Sequence, residues 1–158
     1  MAELRLTFSQ TDPKNKSILI NVSYFDKDEL VNESGGQPFH FTMDSSKYED
    51  LRWYIEDYPE FPDYESIIRT QEIEQWLNEL GRDIFGAIFF HLDNRQIFDL
   101  FRKGNSPHLI TLVSDSNDIL RLPWEMITNK KSPLALQKIS LRRQIKKGKP
   151  VEIKPGHL

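Results

Sequence analysis

His108-Leu109-Ile110-Thr111-Leu112-Val113 is the stretch from which the fold is read. It is short, almost continuously apolar and rich in β-branched residues, the pattern of a strand buried on both faces in the middle of a sheet. The surrounding chain supplies neighbours for it. Leu4, Leu6 and Phe8 alternate with polar residues, and Ile18, Ile20, Val22 and Tyr24 do so again after the turn-like Thr11-Asp12-Pro13-Lys14-Asn15. This predicts two half-buried strands joined as a hairpin. Asp26 to Pro38 is polar, contains Gly35-Gly36 and reads as a loop. Phe39, Phe41 and Met43 predict a third strand, with His40 and Thr42 on its opposite face. Leu134, Leu136, Ile139 and Leu141, following Pro133, predict a last one.

The helices lie mostly between these strands. Ser46-Lys47-Tyr48-Glu49 fits a capping box, in which hydroxyl and carboxylate satisfy the free backbone donors of a helix start. Its apolar stripe is Tyr48, Leu51, Ile55 and Tyr58, and Pro59 with Pro62 ends it. From Tyr64 onward Ile73, Trp76, Leu77, Leu80, Ile84 and Ile88 recur at spacings of three and four, predicting a longer helix. Gly81 and Gly86 interrupt it at about 1 kcal/mol each relative to alanine, so a bend or break near Gly81, or close packing there against a neighbour, is expected. Asp93 or Asn94 caps a further helix carrying Ile97, Leu100 and Phe101, closed by Gly104. Asp115 or Ser116 caps another, from Asp118 to Ile127. The expected fold is α+β: a mixed β-sheet of about five strands packed on three to four helices, the main ones between Ser46 and Lys103. A three-layer α/β arrangement is the alternative.

Composition narrows the function. The 158 residues are 38% hydrophobic and 28% charged, the balance of one ordinary globular domain. The absence of cysteine removes disulfides, thiolate nucleophiles and Cys-containing zinc sites. A net charge of −3 argues against a dedicated nucleic-acid binder. Acidic residues concentrate between Asp44 and Glu79, whereas Lys138, Arg142, Arg143, Lys146, Lys147, Lys149 and Lys154 crowd the end. The stretch from Arg142 to Lys149 is the one place where nucleic acid could be met, but it contains Gly148 before Pro150 and no stacking aromatics, so it reads as a solvated linker. Residues 1–145 are expected to form the domain and 146–158 a basic linker or tail. With no apolar segment behind a basic start and no run of about 18 apolar residues, a cytoplasmic protein without a membrane partner is expected.

No chemistry is legible. His40, His91, His108 and His157 are not spaced to meet locally, so neither a metal site nor any cofactor is expected. Asp115-Ser116-Asn117-Asp118 lacks the glycine and distal glutamate of a calcium loop. There is no nucleophile elbow, P-loop or dinucleotide fingerprint. Carboxylate pairs such as Glu56/Asp57 and Glu72/Glu74 read as solvated helix faces. The chain is therefore expected not to be an enzyme and to hold no catalytic residue.

Two segments are distinctive: Leu51-Arg52-Trp53-Tyr54-Ile55-Glu56-Asp57-Tyr58-Pro59-Glu60-Phe61-Pro62, and Leu112-Val113-Ser114-Asp115 leading to Leu122-Pro123-Trp124-Glu125. With Leu80-Gly81, Ile84-Phe85, Leu134-Ala135-Leu136 and Ile139-Ser140-Leu141-Arg142-Arg143 between and after them, they resemble, from about Leu4 to Arg143, the N-terminal part of a CHAT domain. That is the caspase-like domain found beside tetratricopeptide repeats in bacteria. The resemblance implies a relation to cysteine peptidases, whose histidine sits in a Gly-His-Gly context and whose cysteine follows an alanine. This chain has no cysteine, and His157 follows Gly156 without a second glycine, so His157 reads as a tail residue and no catalytic residue carries over. The implied role is a non-catalytic N-terminal segment that braces or regulates a protease core, its partner being that downstream core or another protein. A free-standing interaction module that has lost the peptidase half is the alternative; an unrecognised enzyme would need a pocket of convergent polar groups. Trp53 and Trp124 read as scaffold, each able to bury about 150–250 Å². Pro123 suits the first turn of a helix. Arg52 and Glu125 are candidates for buried ion pairs or for contacts to the rest of such a protein.

Overall fold

In the structure, a computed structural model, residues 1–12, 17–41, 43–58, 60–129 and 133–146 are described. β1 (Ala2–Asp12) and β2 (Ser17–Asp26) form the expected antiparallel hairpin, with Leu4 opposite Tyr24 and Leu6 opposite Val22. Short strands β3 (Glu29–Glu33) and β4 (Gln37–Pro38) pair with β2. On the other side of β1, β5 (His108–Ser114) and β6 (Ile139–Ile145) run parallel to it. The order is β3-β2-β1-β5-β6, with β4 beside β2, so the apolar run at His108 does lie inside the sheet. The fold is α+β: among the described residues, a six-stranded mixed sheet with four α-helices.

Alternation along the strands explains the two faces. Leu4, Leu6, Phe8, Ile20, Val22, Ile110 and Leu112 share one core with Ile84, Ile88 and Phe89 of α2 (Tyr64–Phe89) and Ile97, Phe98 and Phe101 of α3 (Leu92–Lys103). The opposite face carries a polar network outside that core. There the Glu3 carboxylate accepts from the Thr111 hydroxyl at 2.7 Å and from the guanidinium groups of Arg5 and Arg142, each at 3.3 Å. Ser140, Arg142 and Gln144 on β6 are exposed on that face.

α2 runs unbroken, with Asp63 as its cap accepting from the Ser66 N–H at 2.8 Å. Of the readings of Gly81, close packing is correct: a β-carbon there would overlap the Met126 carbonyl oxygen. Gly86 faces open space.

Several expectations are corrected. The presumed loop after Asp26 contains β3, reached through a tight turn in which Lys27 and Asp28 take φ of 53° and 66°. Neither is glycine, so the usual hairpin signature is missing from the sequence. Phe39, His40, Phe41 and Met43 lie in no strand; after the Phe39 N–H donates to the Ile18 carbonyl the described chain leaves β2, although Phe39 is buried. Pro38 offers no N–H to continue the ladder. α1 (Ser45–Arg52) is capped by Asp44, which accepts from the Lys47 N–H at 3.1 Å and the Ser46 hydroxyl at 2.7 Å, rather than by Ser46. Residues 53–57 continue it as a widened π turn, which changes the helical phase and leaves Ile55 71% exposed instead of facing the core.

α3 starts at Leu92 with His91 as its cap residue, so Asp93 and Asn94 lie inside its first turn, and Leu100 is exposed. The helix expected from Asp118 to Ile127 is one turn, α4 (Asn117–Leu120), followed by a 3₁₀ turn at Trp124–Met126. Pro123 has no N–H for a continuing helix, and the Trp124 N–H donates to the Leu122 carbonyl. Ser116 occupies the cap position of α4 but makes no side-chain cap bond. Leu134 and Leu136 belong to a second 3₁₀ turn, Leu134–Gln137, not to the last strand. Arg142 and Arg143 belong to β6 and not to a linker: they pair with Thr111 and Leu112 of β5, and both guanidinium groups meet acidic partners. The turn residues Pro13–Asn15, together with Thr42, Pro59, Lys147, Lys149, His157 and the rest of the tail, lie outside the described residues.

Candidate functional site

Open sheets leave crevices at the carboxyl ends of parallel strands, where the chain must turn away into its connections. Here Phe8, Ser9 and Gln10 of β1 and Ser114, Asp115 and Ser116 leaving β5 open a cavity of about 590 Å³. Its apolar lining is Phe8, Ile18, Phe41, Met43, Ile119 and Leu122; its polar lining includes Ser9, Gln10, Ser45, Asp115 and Asp118. The Ser114 oxygen accepts from the Ser116 N–H at 3.0 Å, so this hydroxyl shapes the turn. Tyr48 lines the wall with the Arg121 guanidinium 5.0 Å from its ring. Burial first, and then the nearby Asp118 charge, push the Tyr48 phenol above its ordinary value of 10.0, keeping it protonated.

Among the described lining residues there is no imidazole or amine to activate a serine. The wall is instead apolar with two carboxylates, Asp115 and Asp118, the second of which lies 3.9 Å from the Arg121 guanidinium. No group of three or more His, Asp or Glu among the described residues could hold a metal ion. No described helix is long and apolar enough to cross a membrane.

The second distinctive segment forms one side of this region. Trp124 is fully buried, its indole N–H donating to the Ile119 carbonyl at 2.8 Å, while its ring centroid lies 5.5 Å from that of Phe8. Leu122 and Pro123 are buried beside it. Arg143 clasps the segment to β6, donating to the Leu120 carbonyl at 2.8 Å, the Leu122 carbonyl at 3.2 Å and both oxygens of Glu125. That hydrogen bond from Arg143 is the main cause holding the Glu125 carboxyl below its ordinary 4.5, against the upward pull of burial. The Glu125 pair lies at the surface rather than buried. Arg52 likewise lies at the surface, 4.0 Å from Glu56.

The first distinctive segment lies elsewhere, on the corner between α1 and α2. Leu51 and Pro62 are half-buried, and Glu56 and Asp57 are exposed. Trp53 is also half-buried, with Tyr58 edge-on at 5.6 Å and the Arg69 guanidinium 4.1 Å over its ring. The Tyr54 hydroxyl donates to Glu74 at 3.0 Å. The structure therefore brings Ser114, Asp115 and Leu122 to the cavity and leaves the described residues of the first segment outside its lining. Phe41, Met43 and Tyr48 join the cavity although the sequence marks them only as apolar periodic positions; their convergence has no one-dimensional signal. No protein-family model, curated protein or solved structure matches the chain.

Proposed function

We propose that this chain is the non-catalytic N-terminal region of a bacterial, cytoplasmic CHAT-type caspase-like cysteine peptidase, bracing or regulating a protease core through direct protein contact. One observation carries the reading. β6 ends the sheet, is parallel to β5, and has no strand on its outer side among the described residues, while Ser140, Arg142, Gln144 and Ile145 are exposed along it. Parallel strands are normally covered on both faces and continued at their edge by further crossover units, because an open edge presents unpaired N–H and C=O groups. Here the face carrying Glu3, Thr111 and Arg142 lies outside the helix-covered core. A downstream core that adds a parallel strand to β6 would pair that edge. Arg143 would support it by tying β6 to the Leu120–Glu125 turn. The paired motifs Trp53-Tyr54 through Pro62 and Leu122-Pro123-Trp124-Glu125 are the sequence side of the same argument.

Reading the genomic frame beyond the Leu158 codon tests this directly. The expected result is continuation into a strand ending in Gly-His-Gly and then one ending in Ala-Cys. A stop codon directly after Leu158 overturns it and leaves the free-standing interaction module that has lost the peptidase half.

A further inference from the structure

We infer that the corner formed by residues 53–58 and 60–68 is a docking surface for a basic amphipathic helix of a partner protein. Aromatic and branched side chains are concentrated there without being buried: Ile55 is 71% exposed, Phe61 88% and Tyr64 77%, and Tyr58, Ile67 and Ile68 are exposed beside them. Neither α1 nor the widened turn after it has a single buried residue. Large apolar side chains left in water within one short stretch, interleaved with acidic ones, fit an interaction site better than the same residues scattered singly over a chain.

The rim states the charge of the occupant. From Trp53 to Ile68 the sequence holds Glu56, Asp57, Glu60, Asp63 and Glu65 and no lysine or arginine. The flanking cations are engaged locally: Arg52 is near Glu56, and Arg69 lies over Trp53 and 3.2 Å from Asp50. Among the described residues Asp57, Glu60 and Glu65 form no ion pair. An anionic lipid surface or a nucleic-acid backbone would be repelled by this rim, and a second copy would bring like charge against like. A helix with leucines or aromatics on one face and lysines or arginines beside them satisfies both the apolar centre and the acidic rim. The corner is also shaped before binding, since Trp53 is held between Tyr58 and Arg69 while Tyr54 is bonded to Glu74. That lowers the ordering cost of association. The inference goes beyond the peptidase reading and stands whether or not the chain continues into one.

The test is fluorescence anisotropy of the full chain with a fluorescein-labelled amphipathic helical peptide built only of leucine and lysine. Its counterpart with glutamate in place of lysine is the control. Expected are binding of the lysine peptide that weakens with salt, no binding of the glutamate peptide, and a loss of roughly tenfold or more in affinity for Phe61→Ser/Tyr64→Ser. Both side chains are mostly in water, so the variant keeps its unfolding midpoint. Glu60→Lys should weaken binding and flatten its salt dependence. Equal affinity of the parent and Phe61→Ser/Tyr64→Ser, or equal binding of both peptides, overturns the inference. So does sedimentation showing a dimer that the same double variant abolishes, which would assign the corner to a second copy.

Discussion

Gly81 in the middle of α2 rests directly on the backbone of Met126, with no room for a β-carbon between them, and its carbonyl accepts from the Thr128 N–H at 3.3 Å. This contact docks the longest helix onto the turn that carries Leu122-Pro123-Trp124-Glu125. Gly81→Ala would gain about 1 kcal/mol of helix propensity. It would also force helix and turn apart against main-chain atoms that cannot rotate away, an overpacking cost of about 1–3 kcal/mol or more. The expected outcome is net destabilisation by urea denaturation, whereas Gly86→Ala, at a position with open space beside it, should stabilise. An equal effect of the two substitutions would refute the docking role.

Trp124 combines full burial with a bonded indole. Trp124→Phe should cost about 2–3 kcal/mol, since it leaves part of a filled site empty and removes the shorter of two hydrogen bonds to the Ile119 carbonyl, leaving that from the Leu122 N–H at 3.3 Å. The midpoint of chemical denaturation reads this, and a shift below about 0.5 kcal/mol would contradict the packing described.

The Glu125–Arg143 pair gives a pH dependence of defined sign. The folded carboxyl titrates below its ordinary value, so the pair stabilises at neutral pH and loses that contribution as acid protonates Glu125 through its lowered folded pKa. Both side chains are partly in water, so the gain is limited to about 1 kcal/mol or less. Glu125→Gln should therefore be less stable than the parent at neutral pH. The two should converge as the pH falls below the ordinary glutamate value of 4.5 and through the lowered folded one. Parallel stability curves across that range would exclude the pair as their cause.

The open edge of β6 predicts uneven amide exchange. Amides of β5, hydrogen-bonded between β1 and β6, should exchange most slowly, and the outward amides of β6 should exchange near the rate of unprotected backbone. Hydrogen exchange by NMR resolves the two sets. Slow exchange along the outer side of β6 would mean that the edge is already covered.

The sequence by itself determined the elements whose pattern is local. The β1–β2 hairpin, the interior position of the Leu109–Val113 run, the helical periodicity of α2 and the burial of Trp124 follow from alternation of two, periodicity near 3.6 and side-chain size. Those patterns reflect solvent on one side and core on the other, which a linear string records. Only the tertiary structure decided what depends on a particular neighbour. It moved the cap from Ser46 to Asp44, turned the widened helix at Trp53–Asp57 so that Ile55 faces water, and resolved Gly81 as a contact to Met126. It also drew Arg142 and Arg143 out of an expected basic linker into β6, where Glu3 and Glu125 hold them. The cavity at the ends of β1 and β5 arose the same way, from residues more than a hundred positions apart, because parallel pairing aligns chain ends that no local pattern connects.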